Sequence, residues 1–204
     1  VYDFIRKHGA EPAFLGFNNY KYTTCISVNN EVIHGLPLKE KILHEGDIVS
    51  IDIGCSYRGY FADMAKTFPV GKVSEKRKLL IEVTEKSLIM GINSVKVGSH
   101  IGEIGFTVQT FVQKNGFSVV KNFVGHGIGL KLHEEPQIPN FGESGNGPLI
   151  KTGMALAIEP MVNSGSDEVL TLSDGWTVVT KDGSDSAHFE HTVFVNDQSV
   201  EILT

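Results

Sequence analysis

Residues 42–52, Ile-Leu-His-Glu-Gly-Asp-Ile-Val-Ser-Ile-Asp, are echoed at residues 150–159, Ile-Lys-Thr-Gly-Met-Ala-Leu-Ala-Ile-Glu. In each segment a glycine precedes an apolar run typical of a strand, and a carboxylate, Asp52 or Glu159, follows the glycine by six residues. Acids inside apolar strands seldom match by chance. The echo therefore predicts two pseudo-symmetric halves, about 1–95 and 96–204, within a single catalytic domain that spans 1–204.

The next predicted strand of each half carries a second acid, Asp63 or Glu190, and then a threonine, Thr67 or Thr192. Each half thus offers two carboxylates on adjacent strands. A pair of predicted helices separates the two halves. This order of elements indicates an α/β (α+β) fold in which the two halves share one cleft.

The two helices are predicted over 74–90, with Ser74 as the N-cap, and over about 99–116. Four apolar residues of the first helix are expected on one face, towards the core: Leu79, Leu80, Val83 and Met90. Further strands are predicted over 117–124, 154–162, 176–180 and 188–195.

Strand alternation places small residues beside the first acid of each half: Ser50 shares a face with Asp52, and Ala157 with Glu159. The opposite face is expected in the core, with Val49, Ile51, Ile53, Leu156 and Ile158. A buried carboxylate without a partner costs several kcal/mol, so these acids are expected to face a cation.

Residues 123–136, Phe-Val-Gly-His-Gly-Ile-Gly-Leu-Lys-Leu-His-Glu-Glu-Pro, contain three glycines and two histidines. Such glycine content disfavours a helix and predicts positive φ or close backbone approach. We interpret His126 as a metal ligand and His133 as a residue that reaches the substrate. Two structural histidines in a turn are the alternative.

Four carboxylates and His126 form an oxygen-rich set with one nitrogen. Four converging negative charges repel one another, and a pair of divalent ions relieves that repulsion. The donor types suit Mn, Fe, Co or Zn and differ from a thiolate zinc site. The predicted reaction class is metal-assisted hydrolysis.

Composition limits the function classes. The 204 residues carry a net charge of −6 and show no basic patch, so nucleic acid is not expected as a partner. Cys25 and Cys55 are too few for a disulfide framework, which favours the reducing cytoplasm. No apolar run is long enough for a membrane span. The chain begins at Val1 in mid-pattern, so we expect an N-terminal segment to be missing.

Several motifs in order resemble those of type I methionine aminopeptidases, which have the pita-bread fold: a curved antiparallel sheet with helices on its outer face. They are Asn30–Gly35, Asp47–Gly54, Gly125–Gly129, His133–Pro136, Ile158–Val162 and Glu190–Thr192. The resemblance implies removal of the initiator methionine from nascent chains by water that two divalent metal ions activate.

The resemblance also implies roles for residues. Five would hold the metals: Asp52, Asp63, His126, Glu159 and Glu190. Glu159 would in addition be the general base, and His34 and His133 would hydrogen-bond the substrate or its tetrahedral intermediate.

The methionine side chain requires an apolar pocket. Phe17, Tyr20, Cys25 and Trp176 match the family's pocket positions, and a partly aromatic lining suits a thioether. Alternatively, Phe17 and Tyr20 anchor a loop and Cys25 is a small core residue.

The type I assignment depends on the short separation of Glu159 and Glu190, which leaves no room for the helical insert of type II relatives. The nearest alternative is an Xaa-Pro aminopeptidase or prolidase. A non-catalytic binding protein of the same fold and a two-metal phosphoesterase are further alternatives. The expected partner is a peptide or nascent chain that begins with Met, the expected state is a monomer, and contact with the ribosome is left open.

Overall fold

Fifteen strands and three helices make up the chain, which a computed structural model describes from residue 1 to residue 204. The helices are α1 (Tyr2–Lys7), α2 (Glu75–Ser94) and α3 (Gly102–Lys114). The strands are β1 (Glu11–Pro12), β2 (Cys25–Val28), β3 (Glu31–Ile33), β4 (Ile48–Tyr57), β5 (Tyr60–Pro69), β6 (Ser118–Val119), β7 (Gly125–Gly127), β8 (Glu134–Ile138), β9 (Ala155–Ile158), β10 (Met161–Asn163), β11 (Val169–Thr171), β12 (Val178–Thr180), β13 (Ser186–His188), β14 (Glu190–Val195) and β15 (Val200–Ile202). A short 3₁₀ turn covers Phe17–Asn19.

The main sheet has nine strands, and its central path runs β1-β4-β5-β14-β9-β7-β8. β2 pairs with β4, β15 pairs with β14, and every pairing is antiparallel. The β4–β5 hairpin of the first half therefore joins strands β14 and β9 of the second half through a single strand pairing, that of β5 with β14. In this pairing Glu190 lies opposite Ala65. We call this contact the β5–β14 seam.

Two three-stranded sheets flank the main one, with the orders β13-β10-β6 and β11-β12-β3. The first of them covers part of the main sheet, because β13 contacts both β4 and β5. The second places β3, and the loop after it, beside the second half of the chain.

Helices α2 and α3 pack together and cover the sheet. Leu88 of α2 and Ile104 of α3 lie in one apolar cluster with Leu156 of β9 and Val193 of β14. Ser74 is the N-cap of α2, as predicted, and accepts a 3.3 Å hydrogen bond from the backbone N–H of Arg77. The helices thus support the strands that carry the second pair of acids.

The predicted core stripe of α2 is partly wrong. Leu79 and Met90 are 45% and 40% exposed, whereas the buried stripe includes Thr84 and Ser87. The hydroxyls of Thr84 and Ser87 donate to carbonyls of their own helix, so they can be buried at low cost. A prediction of the buried stripe from apolar residues alone therefore includes exposed positions and omits buried hydroxyl residues.

Several predicted strands are shorter or divided. The strand predicted over 117–124 is limited to Ser118–Val119. The strands predicted over 154–162 and 188–195 are each interrupted by one or two residues, at 159–160 and at 189. At the first interruption Pro160 has no N–H to donate to a ladder, so the chain passes from the main sheet to the flanking sheet there.

The prediction of which face of β4 is buried is also wrong in part. Ser50 and Asp52 are buried, whereas Ile51 and Ile53 are only half-buried. The face that carries Ser50 and Asp52 is the one covered by β13 and α2, because Ile48 on that face packs against Leu80 of α2. The strands of the second half follow the prediction, since Leu156 and Ile158 are fully buried.

None of the helices combines the length and the apolar character that crossing a bilayer requires.

Candidate metal centre and substrate cleft

A single cleft of about 940 Å³ collects every residue that the sequence singled out for function. Its lining includes eleven such residues: Phe17, Tyr20, Cys25, His34, Asp52, Asp63, His126, His133, Glu159, Trp176 and Glu190. These residues come from seven separate segments of the chain. The fold therefore brings together all of the predicted site residues, and none of them lies elsewhere.

The β4–β5 hairpin supplies Asp52 and Asp63, which are both buried. The hairpin register places Asp52 opposite Ala65 and Asp63 opposite Gly54, so neither acid faces a bulky partner. Thr192 of β14 fixes the backbone of Asp63, because its hydroxyl accepts from the Asp63 N–H and donates to the Asp63 carbonyl, each at 2.9 Å.

Glu159 and Glu190 come from the second half. Glu159 directly follows β9, and Asn140 donates a 3.0 Å hydrogen bond to its carbonyl. Glu190 begins β14 next to the β5–β14 seam and is buried. The four acids therefore reach the cleft from both sides of the seam.

His126 lies at the centre of β7, and its two neighbouring glycines allow unusually close packing. A Cβ atom on Gly125 would collide with the carbonyl of Ala157, and one on Gly127 with the carbonyl of Glu135. None of the glycines of this segment has a positive φ. The close backbone approach expected for this segment is thus confirmed at Gly125 and Gly127.

The ring of His126 has a defined orientation. Nδ1 lies 2.9 Å from the carbonyl of Gly127, which can only accept, so Nδ1 carries the proton. The lone pair is then on Nε2, which lies 3.6 Å from Oε1 of Glu159. Burial lowers the pKa of His126 to about 4, so the imidazole is neutral at pH 7. A neutral ring with an anchored Nδ1–H is the usual form of a metal-binding histidine.

The donor atoms of Asp63, His126 and Glu190 lie within 4.8 Å of one another. Oδ1 of Asp52 and Oε1 of Glu190 are buried and have no hydrogen-bond partner. Burial, followed by the charge of neighbouring acids, raises the pKa of Asp52, Glu159 and Glu190 well above the usual range. Burial also raises the pKa of Asp63, to about 6. Unpartnered oxygens and mutual repulsion of this kind fit a divalent cation.

His34 and His133 lie at the edge of this cluster. The rings of His126 and His133 meet edge to face with centroids 4.3 Å apart. His34 has a φ of 58°, which is uncommon outside glycine, and its ring packs against Phe123 and Trp176. Burial and the nearby His133 lower the pKa of His34 to about 4, so its ring is neutral.

Aromatic side chains form the opposite wall of the cleft. Tyr20 contacts Trp176 edge to face at 4.8 Å, and Phe17 contacts His133 in the same way at 5.0 Å. Cys25 is buried beside Tyr20 and opposite Asp52 in the β2–β4 register. Burial and the charge of Asp52 raise the pKa of Cys25, so its thiol stays protonated and is a poor nucleophile.

Sequence reasoning missed one buried residue in the cluster. His188 ends β13, and its Nε2 lies 3.7 Å from Oε2 of Glu159. Its position two residues before Glu190 in an apolar strand was the signal that could have identified it.

Comparisons with known proteins agree with this geometry. The model of metallopeptidase family M24 matches residues 1–197. The chain belongs to metallopeptidase family M24. Methionine aminopeptidase 1 of Bacillus subtilis is 51% identical over 201 residues, which cover 98% of this chain and 81% of the relative. A crystal structure of methionine aminopeptidase from Thermotoga maritima has a TM-score of 0.98 and 49% identity, covering 99% of this chain and 81% of that one. The predicted resemblance is thereby confirmed.

Solved structures with lower sequence identity share the fold. The prolidase of Pyrococcus horikoshii has a TM-score of 0.68 at 24% identity and covers 90% of this chain and 47% of its own. The predicted pita-bread fold is confirmed by both kinds of neighbour. Membership of this metallopeptidase family, together with the Asp63, His126 and Glu190 cluster, identifies the chain as a hydrolase that uses divalent metal.

Proposed function

We propose that this M24 protein is a methionyl aminopeptidase, which hydrolyses the peptide bond after an N-terminal methionine. The observation that carries the proposal is the cleft itself. One wall holds five candidate ligands that are buried or largely buried, with the neutral rings of His34 and His133 beside them, and the other wall is aromatic. The similarity to methionine aminopeptidases over nearly the whole chain supports the same substrate.

The proposed metal ligands are Asp52, Asp63, His126, Glu159 and Glu190, and the proposed cofactor is a pair of divalent ions, Co, Mn, Fe or Zn. When bound, such ions lower the pKa of water and polarise a carbonyl group. The ligand set is supported by the unpartnered oxygens of Asp52 and Glu190 and by the lone pair of His126 Nε2. The two carboxylate oxygens are buried without any hydrogen-bond partner in the protein.

Glu159 is the proposed general base. It accepts a proton from the attacking water and passes it to the departing amine of the second residue. The restraint of its backbone by Asn140 limits its movement during this transfer.

His34 and His133 are the proposed substrate-binding histidines. As neutral rings each can donate one hydrogen bond to a carbonyl oxygen on which negative charge develops. The left-handed backbone of His34 is held because Gly35, the next residue, is bonded at both of its polar groups: its N–H donates to Ser27 Oγ and its carbonyl accepts from Ile26 N–H.

Phe17, Tyr20, Cys25 and Trp176 are the proposed lining of the methionine pocket. An unbranched thioether packs well against aromatic edges, and the protonated thiol of Cys25 adds a small polarisable surface. The Tyr20 hydroxyl donates 3.0 Å to the carbonyl of Thr24, so its ring is fixed at the pocket wall.

Metal-stripped protein titrated with Mn, Fe, Co and Zn tests the proposal directly. We expect each effective ion to restore cleavage of Met-Ala-Ser and to leave an Ala-Pro peptide intact. Preferential cleavage of the Ala-Pro peptide would instead indicate an Xaa-Pro peptidase. Metal binding without cleavage of either peptide would indicate a binding protein of this fold.

The proposed cellular substrate is a nascent chain whose N-terminus carries Met, and the proposed setting is the cytoplasm. We also propose that the protein acts as a monomer whose two halves, about 1–95 and 96–204, each contribute ligands. The sheet order supports the halves, because β2-β4-β5 is followed by β14-β9-β7 across the seam. Contact with the ribosome can be tested by co-sedimentation.

A further inference from the structure

His188 is a buried polar residue for which the proposed reaction has no role. It is 2% exposed, and its ring atom Nε2 has no hydrogen-bond partner. An unpartnered buried nitrogen costs about 1–3 kcal/mol. The nearest polar group with a compatible charge is Oε2 of Glu159, at 3.7 Å.

The backbone of His188 is held firmly. The hydroxyl of Thr67 accepts from the His188 N–H at 2.9 Å and donates to the His188 carbonyl at 2.8 Å. Across the seam, Thr192 holds both backbone groups of Asp63 in the same way. His188 therefore occupies in the second half the place that Asp63 occupies in the first, and its side chain enters the cluster from a fixed base.

The carboxylate of Glu159 lies between two imidazoles. Oε1 is 3.6 Å from Nε2 of His126, and Oε2 is 3.7 Å from Nε2 of His188. The two rings differ in whether Nε2 carries a lone pair or a proton. Nε2 of His126 carries a lone pair, because the proton on Nδ1 is hydrogen-bonded to the Gly127 carbonyl. Nε2 of His188 has no hydrogen-bond partner and is free to carry the proton.

We propose that His188 is a positioning residue, whose Nε2–H donates to Oε2 of Glu159 and so keeps Oε1 directed at the ligand cluster. The separation of 3.7 Å closes to hydrogen-bond length with a small rotation of the carboxylate. Catalytic hydrogen bonds are often long before the site is loaded. The value of this contact for turnover rests on the proposed role of Glu159 as the base.

Two substitutions separate positioning from packing. His188→Gln keeps an amide N–H at similar reach, and His188→Met keeps the volume but removes the donor. We expect His188→Met to lower kcat about 10–100-fold, the usual effect of losing a residue that orients a metal ligand. KM and the number of metals bound should stay unchanged, and His188→Gln should restore most of kcat.

Val162→Ala is the matched control. Val162 is fully buried on the neighbouring strand β10, but it packs on the helix side, against residues such as Ile48 and Leu80. We expect this variant to lower Tm while kcat stays at the level of the parent protein. If His188→Gln and His188→Met lose kcat equally, or if His188→Met loses none, the positioning role is wrong.

A measurement that does not use activity tests the contact itself. Two-bond ¹H–¹⁵N correlations of the zinc-loaded protein show which ring nitrogen of His188 carries the proton. We expect Nε2–H, and we expect its signal to move in Glu159→Gln. A proton on Nδ1 would overturn the inference, even if the protein cleaves Met peptides. If the spectrum is as expected but no Met peptide is cleaved, the proposed function is wrong and the contact between His188 and Glu159 stands.

Discussion

Gly127 offers the sharpest test of how closely the site depends on backbone contact. A Cβ atom at this position would lie far inside the 3.0 Å that Cβ atoms essentially never cross, and the obstacle is the backbone carbonyl of Glu135. Strand β7 or β8 must then shift by about 1 Å, and a displacement of this size at a catalytic group costs about 10²-fold in rate. Because His126 is the adjacent residue, Gly127→Ala is expected to lower kcat/KM by about that factor and to weaken metal binding.

Gly129→Ala is the matched control for this prediction. Its Cβ would meet only the flexible carboxylate of Glu134, at 3.3 Å, which can move aside. Cleavage of Met-Ala-Ser and metal content by atomic absorption are measured for both variants against the parent protein. Full activity in Gly127→Ala, or equal damage in both variants, would refute the argument that backbone proximity fixes His126.

Three further predictions concern the acids and His34. Glu159→Gln should keep the circular dichroism spectrum and lose nearly all turnover; substantial residual activity would place the base elsewhere. His34→Ala should lower kcat far more than metal content, and a loss of metal would make His34 a ligand instead. Burial raises the pKa of Asp52, Glu159 and Glu190 well above the usual range, so in the window above about pH 5 the folded state holds protons that the unfolded state has released. The Tm of the metal-free protein should therefore fall as pH rises through this window, and a saturating divalent ion should reduce that slope; a Tm that rises over the same window would contradict it.

The acid positions could be predicted because they break a local rule. A carboxylate in an apolar strand, such as Asp52 or Glu159, is costly unless something compensates it, so the sequence signal is strong. His126 was identified because two glycines flank it. The reason for those glycines was predicted only in part: they allow close packing against Ala157 and Glu135, which are distant in sequence.

Other features depend on contacts between distant segments and could not be predicted from local patterns. Ser87 lies in the buried stripe of α2 because its hydroxyl bonds within the helix and not because it is apolar. The spacing of His188 from Glu190 is a local signal, but its anchoring is not local, because the pairing of β5 with β14 brings Thr67 to its backbone. The pocket residues Tyr20 and Trp176 were found by resemblance to a family, since neither shows a periodic pattern with the acids.

The β5–β14 seam joins parts of the chain that are far apart, since Asp63 and Thr192 are 129 residues from each other. Both cysteines are free, so no covalent bridge reinforces this junction. Ions held by acids from both halves of the chain would act there as a removable cross-link, as a disulfide does in an extracellular protein. A chelator should thus do more than stop turnover: it should loosen these two strands first, and hydrogen exchange at their amides would accelerate before that of the helices.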